Sequence, residues 1–364
     1  MYKYSFGRIV IRKPIDNRVM HTVDVSELEG DQRANQGPIR VAVAGATGFA
    51  GQELMRLLAR HPHVTITAAT GSQSTSAPRR LPSLTKIWDG TVVPLDASAF
   101  AADAVFLALP EAASAAIAPG LLERGMRVID LSGAFRLRDH AARARFYPAT
   151  GALPAGVAYG LTEFELEAIK PARLLSNPGC YPTASLLGLL PLKRAGLLKP
   201  GADIIIDAKS GISGAGKAAT ERTHFSENHG SVAAYNPFGH RHTPEMEQAL
   251  GQSVTFVPHL VPLDRGILSS LYAHLVPGTT AAAVTAAFED AYRDAPFVRV
   301  TGEMLPEIKH VAHTNFCDVG WKVDVATGRV FVVSVIDNLI KGASGQAIQN
   351  FNVMYGLDQK AGLL

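Results

Sequence analysis

An α/β fold is predicted, with a doubly wound parallel sheet in the first part and an α+β arrangement around a mixed sheet in the second. Three observations predict it. A short β-rich run, Ile39-Arg40-Val41-Ala42-Val43-Ala44, ends in a glycine loop that opens onto a helical pattern. Further strand-like runs alternate with helical stretches through the first part, the signature of a parallel sheet. After Cys180 the strand-like runs continue with fewer helices between them, which points to mixed or antiparallel pairing.

Residues 1–37 read as a flexible extension, with mixed charges and few periodic apolar positions. They lack the apolar h-region of a secretory signal. The loop after the first strand is Gly45-Ala46-Thr47-Gly48-Phe49-Ala50-Gly51, and Leu54, Leu57 and Leu58 share one face of the helix that follows. Strand, glycine loop and helix together form the opening of a Rossmann-type dinucleotide-binding unit. Glycines let the backbone approach a pyrophosphate, and the helix N-terminus supplies positive potential. Gly45, Thr47, Gly48, Phe49, Ala50 and Gly51 are therefore candidate cofactor contacts, although the spacing is G-x-x-G-x-x-G rather than the commoner G-x-G-x-x-G. The second strand, His63 to Thr70, ends without an acid; Ser72 and Ser74 follow, then Arg79 and Arg80. An acid there would hold the ribose 2′-hydroxyl of NAD, whereas hydroxyls and arginines suit a 2′-phosphate, so NADP is the expected cofactor. Ala104 to Leu109 and Arg127 to Leu131 read as further buried strands.

Ser176-Asn177-Pro178-Gly179-Cys180-Tyr181-Pro182-Thr183 places a cysteine where a turn gives way to a helix. Pro182 suits the first helical turn, where its missing N–H does no harm. The free N–H groups and positive dipole end of that helix favour a Cys180 thiolate, which is a nucleophile. Tyr181 to Leu190 is apolar almost all round and reads as a buried helix. Strand-like runs follow at 203–208, 253–257, 268–275, 297–300 and 330–335, and a last helix spans about 344–355.

A second glycine- and serine-rich loop, Ser210-Gly211-Ile212-Ser213-Gly214-Ala215-Gly216-Lys217, has the amides, hydroxyls and lysine to hold a phosphate. Four histidines fall between His224 and His242, densest at His240-Arg241-His242. Histidine suits proton transfer near neutrality, and His-x-His also permits zinc ligation. Arg265 is a candidate anion contact, with pairing to Asp264 as the plain alternative. Asn177, Ser210, Ser213 and Gly214 are candidate substrate contacts, and Gly214 and Asn338 candidate cofactor contacts. Cys317 lacks a helix-start signal and reads as structural.

The net charge of +3, without a long basic stripe, does not point to nucleic acid. No run of about 18 uncharged apolar residues predicts a membrane span. Two cysteines are too few for a disulfide framework, which fits a reducing compartment such as the cytoplasm. Together, a nucleotide loop, an activated cysteine, a histidine cluster and an anion loop suit reduction of an acyl phosphate through a thioester.

On these motifs the chain, from about Ile39 to Leu364, resembles the N-acetyl-gamma-glutamyl-phosphate reductases, arginine-pathway relatives of aspartate-semialdehyde dehydrogenase. The carriers are Gly45–Gly51, Ser176–Thr183, Ser210–Gly216, His240–Glu245, Pro258–Leu268 and Asp337–Gln346. The resemblance implies an NADP-binding domain of residues 38–179 together with 343–364 and a catalytic, oligomerising domain of residues 180–342. It implies NADP, a small acyl phosphate substrate, no metal, and a homo-oligomer, tetramer or dimer. It casts Cys180 as nucleophile and His242, with His240 as the alternative, as acid–base. Three rival readings remain at this point: a cysteine hydrolase or acyltransferase, a zinc enzyme built on the histidine cluster, and a catalytically silent regulator.

Overall fold

The computed structural model describes residues 37–71 and 77–364. The extension expected at residues 1–37, apart from Gly37, and the cofactor contacts expected at Ser72 and Ser74 lie outside the described residues.

Six parallel strands form the first sheet: β1 (Ile39–Ala44), β2 (Val64–Thr70), β3 (Ala104–Leu107), β4 (Arg127–Asp130), β5 (Val157–Tyr159) and β6 (Leu174–Ser176). Their order is β2-β1-β3-β4-β6-β5, so the chain reverses direction across the sheet between β1 and β3. Ligands of open α/β sheets bind at such a switch point, beyond the carboxyl ends of the strands. Helices α1 (Phe49–Leu58), α2 (Glu111–Glu123), α3 (His140–Phe146) and α4 (Thr162–Ile169) belong to this part. Both faces of the sheet are covered, and β1 shows why the sequence reads as continuously apolar there. Val41 and Val43 face a core containing Leu54, Phe106 and Phe351, while Ala42 and Ala44 face one containing Phe100, Val105 and Leu121.

The seven-stranded second sheet contains β7 (Ile205–Gly211), β8 (Ala233–Ala234), β9 (Thr255–Val261), β10 (Ile267–His274), β11 (Val298–Gly302), β12 (Cys317–Asp324) and β13 (Arg329–Ile336). The order is β11-β12-β13-β10-β7-β9-β8. The β11–β12 and β7–β9 pairs are parallel and the others antiparallel, which makes the sheet mixed as expected. Of the helices α5 (Cys180–Arg194), α6 (Phe225–Asn228), α7 (Thr243–Leu250), α8 (Ala281–Tyr292) and α9 (Gly345–Met354), α5 runs through the core, with every residue from Tyr181 to Leu192 buried. On the opposite face of this sheet Ile205 and Tyr272 are exposed and Tyr272 packs on Phe331, ring centroids 4.9 Å apart. Helix α9 returns to the first sheet, where Phe351 packs on Phe106 at 5.6 Å. A π-turn, Ile340–Ser344, leads into α9.

β5, β6, β8 and β12 had not been read from the sequence. Three of them span only two or three residues, too short to show a period. β12 is longer, but Gly320 and two charged ends, Asp318 and Asp324, interrupt its apolar pattern. No described helix is long and apolar enough to cross a membrane.

Candidate active site

Cys180 opens α5, with Gly179 as the N-cap, so the turn-to-helix placement holds. The expected electrostatics do not. Burial pushes the Cys180 thiol above its usual range and outweighs the opposing Arg136 charge, the Tyr181 backbone N–H and the Arg241 charge; Glu245 pushes further up. A helix N-terminus alone does not make a thiolate when the site is dry.

His242 meets this corner. A methyl group on Gly179 would fall 2.4 Å from His242 Nε2, so only glycine permits the approach. Arg136 Nη1 lies 3.3 Å from the same Nε2. A guanidinium can only donate, so Nε2 carries the lone pair and the ring proton sits on Nδ1. The His242 backbone N–H donates to His240 Nδ1 at 3.1 Å, which sets the tautomer of His240 as well. Burial, with His240 and the Arg136 and Arg241 charges, holds His242 well below the ordinary histidine range. Burial and Arg241 bring His240 down to about 4. Both rings are therefore neutral near pH 7. Tyr181 packs edge-on against both, at 5.6 and 6.1 Å. His224 and His229 are exposed and stand apart from this pair. Among the described residues no cluster of three or more His, Cys, Asp and Glu could hold a metal.

Two buried residues, Arg136 and Glu245, and the half-buried Tyr159 complete the corner, and the sequence motifs assign none of them a role. Arg136 donates through Nε to the Asn177 carbonyl at 2.9 Å and through Nη2 to the Leu131 carbonyl at 2.8 Å. Its Nη1 lies 3.6 Å from Glu245 Oε2. Glu245 Oε1 accepts from the Gly179 N–H and from the Tyr159 hydroxyl, both at 2.8 Å. Arg136 follows β4 by six residues, which places it beyond a strand carboxyl end, the one sequence signal that could have marked it.

Asn177 is fully buried. Its amide donates to the Ala343 carbonyl at 3.1 Å and its Oδ1 accepts from Asn350 Nδ2 at 3.1 Å, so it ties the Cys180 loop to the π-turn and α9. Ser210 is buried, with its hydroxyl on the Gly211 carbonyl at 3.0 Å. Asn338 donates to Ser213 Oγ at 2.9 Å and accepts from the Gly266 N–H at 2.7 Å. A side chain at Gly214 would meet Ser210 Oγ at 2.8 Å. Arg265 is not paired with Asp264: its guanidinium reaches Glu53 of α1 at 3.0 Å and Asp337 at 3.5 Å, which commits it to bridging the two sheets.

The glycine loop fits a pyrophosphate. Gly45 has φ +88°, and a Cβ there would fall 2.1 Å from the Ala108 carbonyl. A Cβ on Gly51 would lie 2.1 Å from the Gly45 carbonyl, so α1 can pack this closely only with glycine. Gly48 caps α1 without a side-chain hydrogen bond, which leaves the first-turn amides open. Phe49 begins α1 and is 37% exposed. The Thr47 carbonyl accepts from Gln52 at 3.1 Å and from Lys217 at 3.2 Å, which draws the second glycine loop to the first. Ser344 donates to the Ala50 carbonyl at 2.8 Å. Arg79 is exposed, and its main chain is bonded to Val92 in both directions at 2.9 Å.

Residues 40–172 match the family model described as semialdehyde dehydrogenase, NAD binding domain, and residues 180–338 the one described as semialdehyde dehydrogenase, dimerisation domain. The first part is thus a nicotinamide-dinucleotide-binding domain. The N-acetyl-gamma-glutamyl-phosphate reductase of Desulforudis audaxviator (strain MP104C) is 46% identical over 341 residues, covering 90% of this chain and 98% of that protein. That of Geobacillus stearothermophilus is 46% identical over 339 residues, covering 89% and 98%. Among solved structures, aspartate semialdehyde dehydrogenase II of Vibrio cholerae, complexed with ASA, superposes with a TM-score of 0.68 at 18% identity, over 88% of this chain and 98% of that one. The Candida albicans aspartate semialdehyde dehydrogenase with NADP gives a TM-score of 0.65 at 16% identity, over 90% and 99%. The structural likenesses bear on the fold, and the sequence identities decide the family: the chain belongs to the N-acetyl-gamma-glutamyl-phosphate reductases, within the semialdehyde dehydrogenases.

Proposed function

We propose that the protein reduces N-acetyl-5-glutamyl phosphate to N-acetylglutamate 5-semialdehyde and phosphate, reversibly, in arginine biosynthesis, with Cys180 as nucleophile and NADPH as reductant. The observation that carries this reading is the π-turn at 340–344, which touches both halves of the reaction. Its Ser344 bonds the first turn of the nucleotide helix, and its Gly342 packs so closely on Cys180 that a methyl there would fall 2.8 Å from the Cys180 Cβ.

The Cys180 sulfur attacks the acyl carbon, the bond from that carbon to the phosphate oxygen breaks, and phosphate leaves. His242 takes the thiol proton on Nε2. Arg136 Nη1 faces that lone pair, and an arriving phosphate dianion competes for the same guanidinium. Bound at the Gly45 loop, NADPH supplies the hydride that reduces the thioester. His242 then holds the proton that the product thiohemiacetal must exchange as the carbon–sulfur bond breaks and the aldehyde departs. Gly45, Thr47, Gly48, Phe49, Ala50 and Gly51 hold the pyrophosphate, and Arg79 favours the 2′-phosphate of NADP over NAD. Residues 38–179 with 343–364 form the nucleotide domain and residues 180–342 the catalytic one, a division supported by the Phe351–Phe106 contact. The exposed Ile205 and Tyr272 on the second sheet fit burial against another copy of the chain.

The reverse reaction tests this: N-acetylglutamate semialdehyde, phosphate and NADP⁺, followed by NADPH absorbance, with Cys180→Ser in parallel. Phosphate-dependent NADPH formation is expected, falling below about a thousandth in the variant while NADPH still binds. Undiminished turnover in Cys180→Ser sinks the nucleophile assignment, and turnover without phosphate sinks the reaction.

A further inference from the structure

The nucleophile is held from two sides, and both holds lead back to one short segment that does not itself touch it. On the N–H side, Glu245 Oε1 accepts from Gly179, and the same oxygen accepts from Tyr159, the last residue of β5. On the Cα side, Gly342 lies against Cys180, with a built Cβ 3.3 Å from its Cα. Gly342 is fixed by wide-turn hydrogen bonds, Gly342 N–H to the Asp337 carbonyl and Ser344 N–H to the Leu339 carbonyl, both 2.9 Å. π-turns are uncommon and recur at functional sites.

The neighbour of Gly342 in that turn is Lys341, whose side chain is wholly buried. Its Nζ reaches Glu163 Oε1 at 2.6 Å and Gln349 Oε1 at 2.8 Å, while Gln349 Nε2 donates to the same Glu163 oxygen at 3.1 Å. Glu163 lies four residues after Tyr159. Between them the segment is pinned to α9: Asn350 donates to the Gly160 carbonyl and accepts from Thr162 Oγ1, both at 2.8 Å. An ion pair this dry is a poor source of stability, because the desolvation of both charges offsets their attraction. Its other property is direction. Short charge-assisted bonds fix the distance between α4 and the turn.

We propose that residues 159–163 brace the Cys180 cradle on both sides, with Tyr159 and Glu163 as positioning residues acting through Glu245 and Lys341. This inference rests on the reading of Cys180 as the nucleophile. A displacement near 1 Å at a reacting atom costs on the order of a hundredfold in rate. The brace therefore acts on kcat; its Tyr159 arm runs through Glu245, whereas the Lys341 arm holds the turn whose Ser344 also bonds the nucleotide loop at Ala50. The brace also holds the thiol in its half-buried position, so loosening it exposes the sulfur further.

Two variants test this in the full chain: Tyr159→Phe, which deletes one oxygen, and the double variant Lys341→Met with Glu163→Met, which removes the ion pair without stranding a charge. Each is read by kcat, KM, NADPH affinity and the pH profile of Cys180 alkylation by iodoacetamide. The expected result is a fall in kcat on the order of ten- to a hundredfold in both, with NADPH affinity unchanged in Tyr159→Phe. Alkylation at pH 7 should rise at the same time, the opposite direction to activity. A scaffold role alone would lower the melting temperature and leave both kcat and the alkylation profile at wild type, and that outcome overturns the proposal. If the double variant is not recovered folded, Tyr159→Phe decides, and wild-type behaviour there overturns the brace. Cys180→Ser separates the two claims. Retained turnover in it rejects the nucleophile itself, whereas a dead Cys180→Ser beside unaffected brace variants rejects only the brace.

Discussion

Two strand–glycine–helix junctions stand at carboxyl ends of first-sheet strands, and they share one local geometry. Gly48 caps α1 with φ −73° and ψ 170°, and Gly179 caps α5 with φ −69° and ψ 158°. Neither has a side-chain cap. Their surroundings differ. A methyl on Gly48 would meet only the Gly45 carbonyl, at an ordinary 3.7 Å, whereas one on Gly179 would strike His242. The N–H of Gly179 is already held by a buried carboxylate, and a buried ion pair stands beside it. The same helix start thus leaves its first-turn amides open in one place, and in the other is outweighed by burial, which pushes the thiol pKa up. Environment, not the cap, decides what a helix N-terminus does.

If the two junctions have separate tasks, substitutions should separate them. The largest effect is expected at the Cys180 junction. His242→Asn should lower kcat by about 10²–10⁴-fold with NADPH affinity unchanged. A parallel loss of NADPH affinity, measured by fluorescence titration, would break the separation.

Acid should weaken the same junction. His240 titrates at about 4 in the folded protein, lowered by burial and then by Arg241, against about 6.5 when free. Above pH 6.5 the ring is neutral in both states and its contribution is fully present. As pH falls from 6.5 towards 4, the unfolded chain takes a proton that the native site refuses, so stability is lost, by about 3 kcal/mol at most. His242, held lower still by burial beside His240 and the arginines, adds loss in the same direction. His240→Asn should flatten the fall in melting temperature between pH 6.5 and 4.5. An equally steep fall in the variant would assign the acid sensitivity elsewhere.

Alanine at each cap glycine sharpens the comparison further. Gly179→Ala must displace His242 and should cost about a hundredfold in kcat. Gly48→Ala, at the same φ and ψ, should hold kcat at saturating NADPH within a few-fold. Equal kcat losses in the two variants would mean that the cap glycine matters for its backbone and not for what faces it.

How far the sequence revealed each junction follows from the same contrast. The Gly45 loop was legible because its requirements are local: Gly45 needs its positive φ, and Gly51 needs to clear a carbonyl six residues back. The position of Cys180 was legible through Asn-Pro-Gly and Pro182, and His240 and His242 through their density. Its electrostatics were not. Arg136, Glu245 and Tyr159 come from three distant stretches and meet only in the fold, so neither period nor spacing ties them to residue 180. The partners of Arg265 were hidden for a related reason: Glu53 and Asp337 lie 212 and 72 residues away, while the nearest acid in sequence, Asp264, is not the one it binds. Strand edges slipped where the apolar run and the ladder differ, as at β9, expected at 253–257 and found at Thr255–Val261.

The smallest effect belongs to the rim of the open junction. The segment Val92–Val93 connects the end of β2 to Arg79: Gly71 N–H bonds the Val93 carbonyl, and Arg79 and Val92 exchange main-chain bonds, all at 2.9 Å. The backbone of Arg79 is thereby fixed beside the end of β2, and its side chain remains exposed. An exposed cation gains little from any one partner because water and salt screen it, so its contribution to a 2′-phosphate is modest. Arg79→Ala should weaken NADPH binding by about tenfold, a difference that shrinks as salt is raised, and should leave NADH binding and saturated kcat unchanged. An equal loss for both cofactors would place Arg79 on the shared part of the nucleotide. No loss for either would remove it from the site, and any measured preference for NADP would then need another cation.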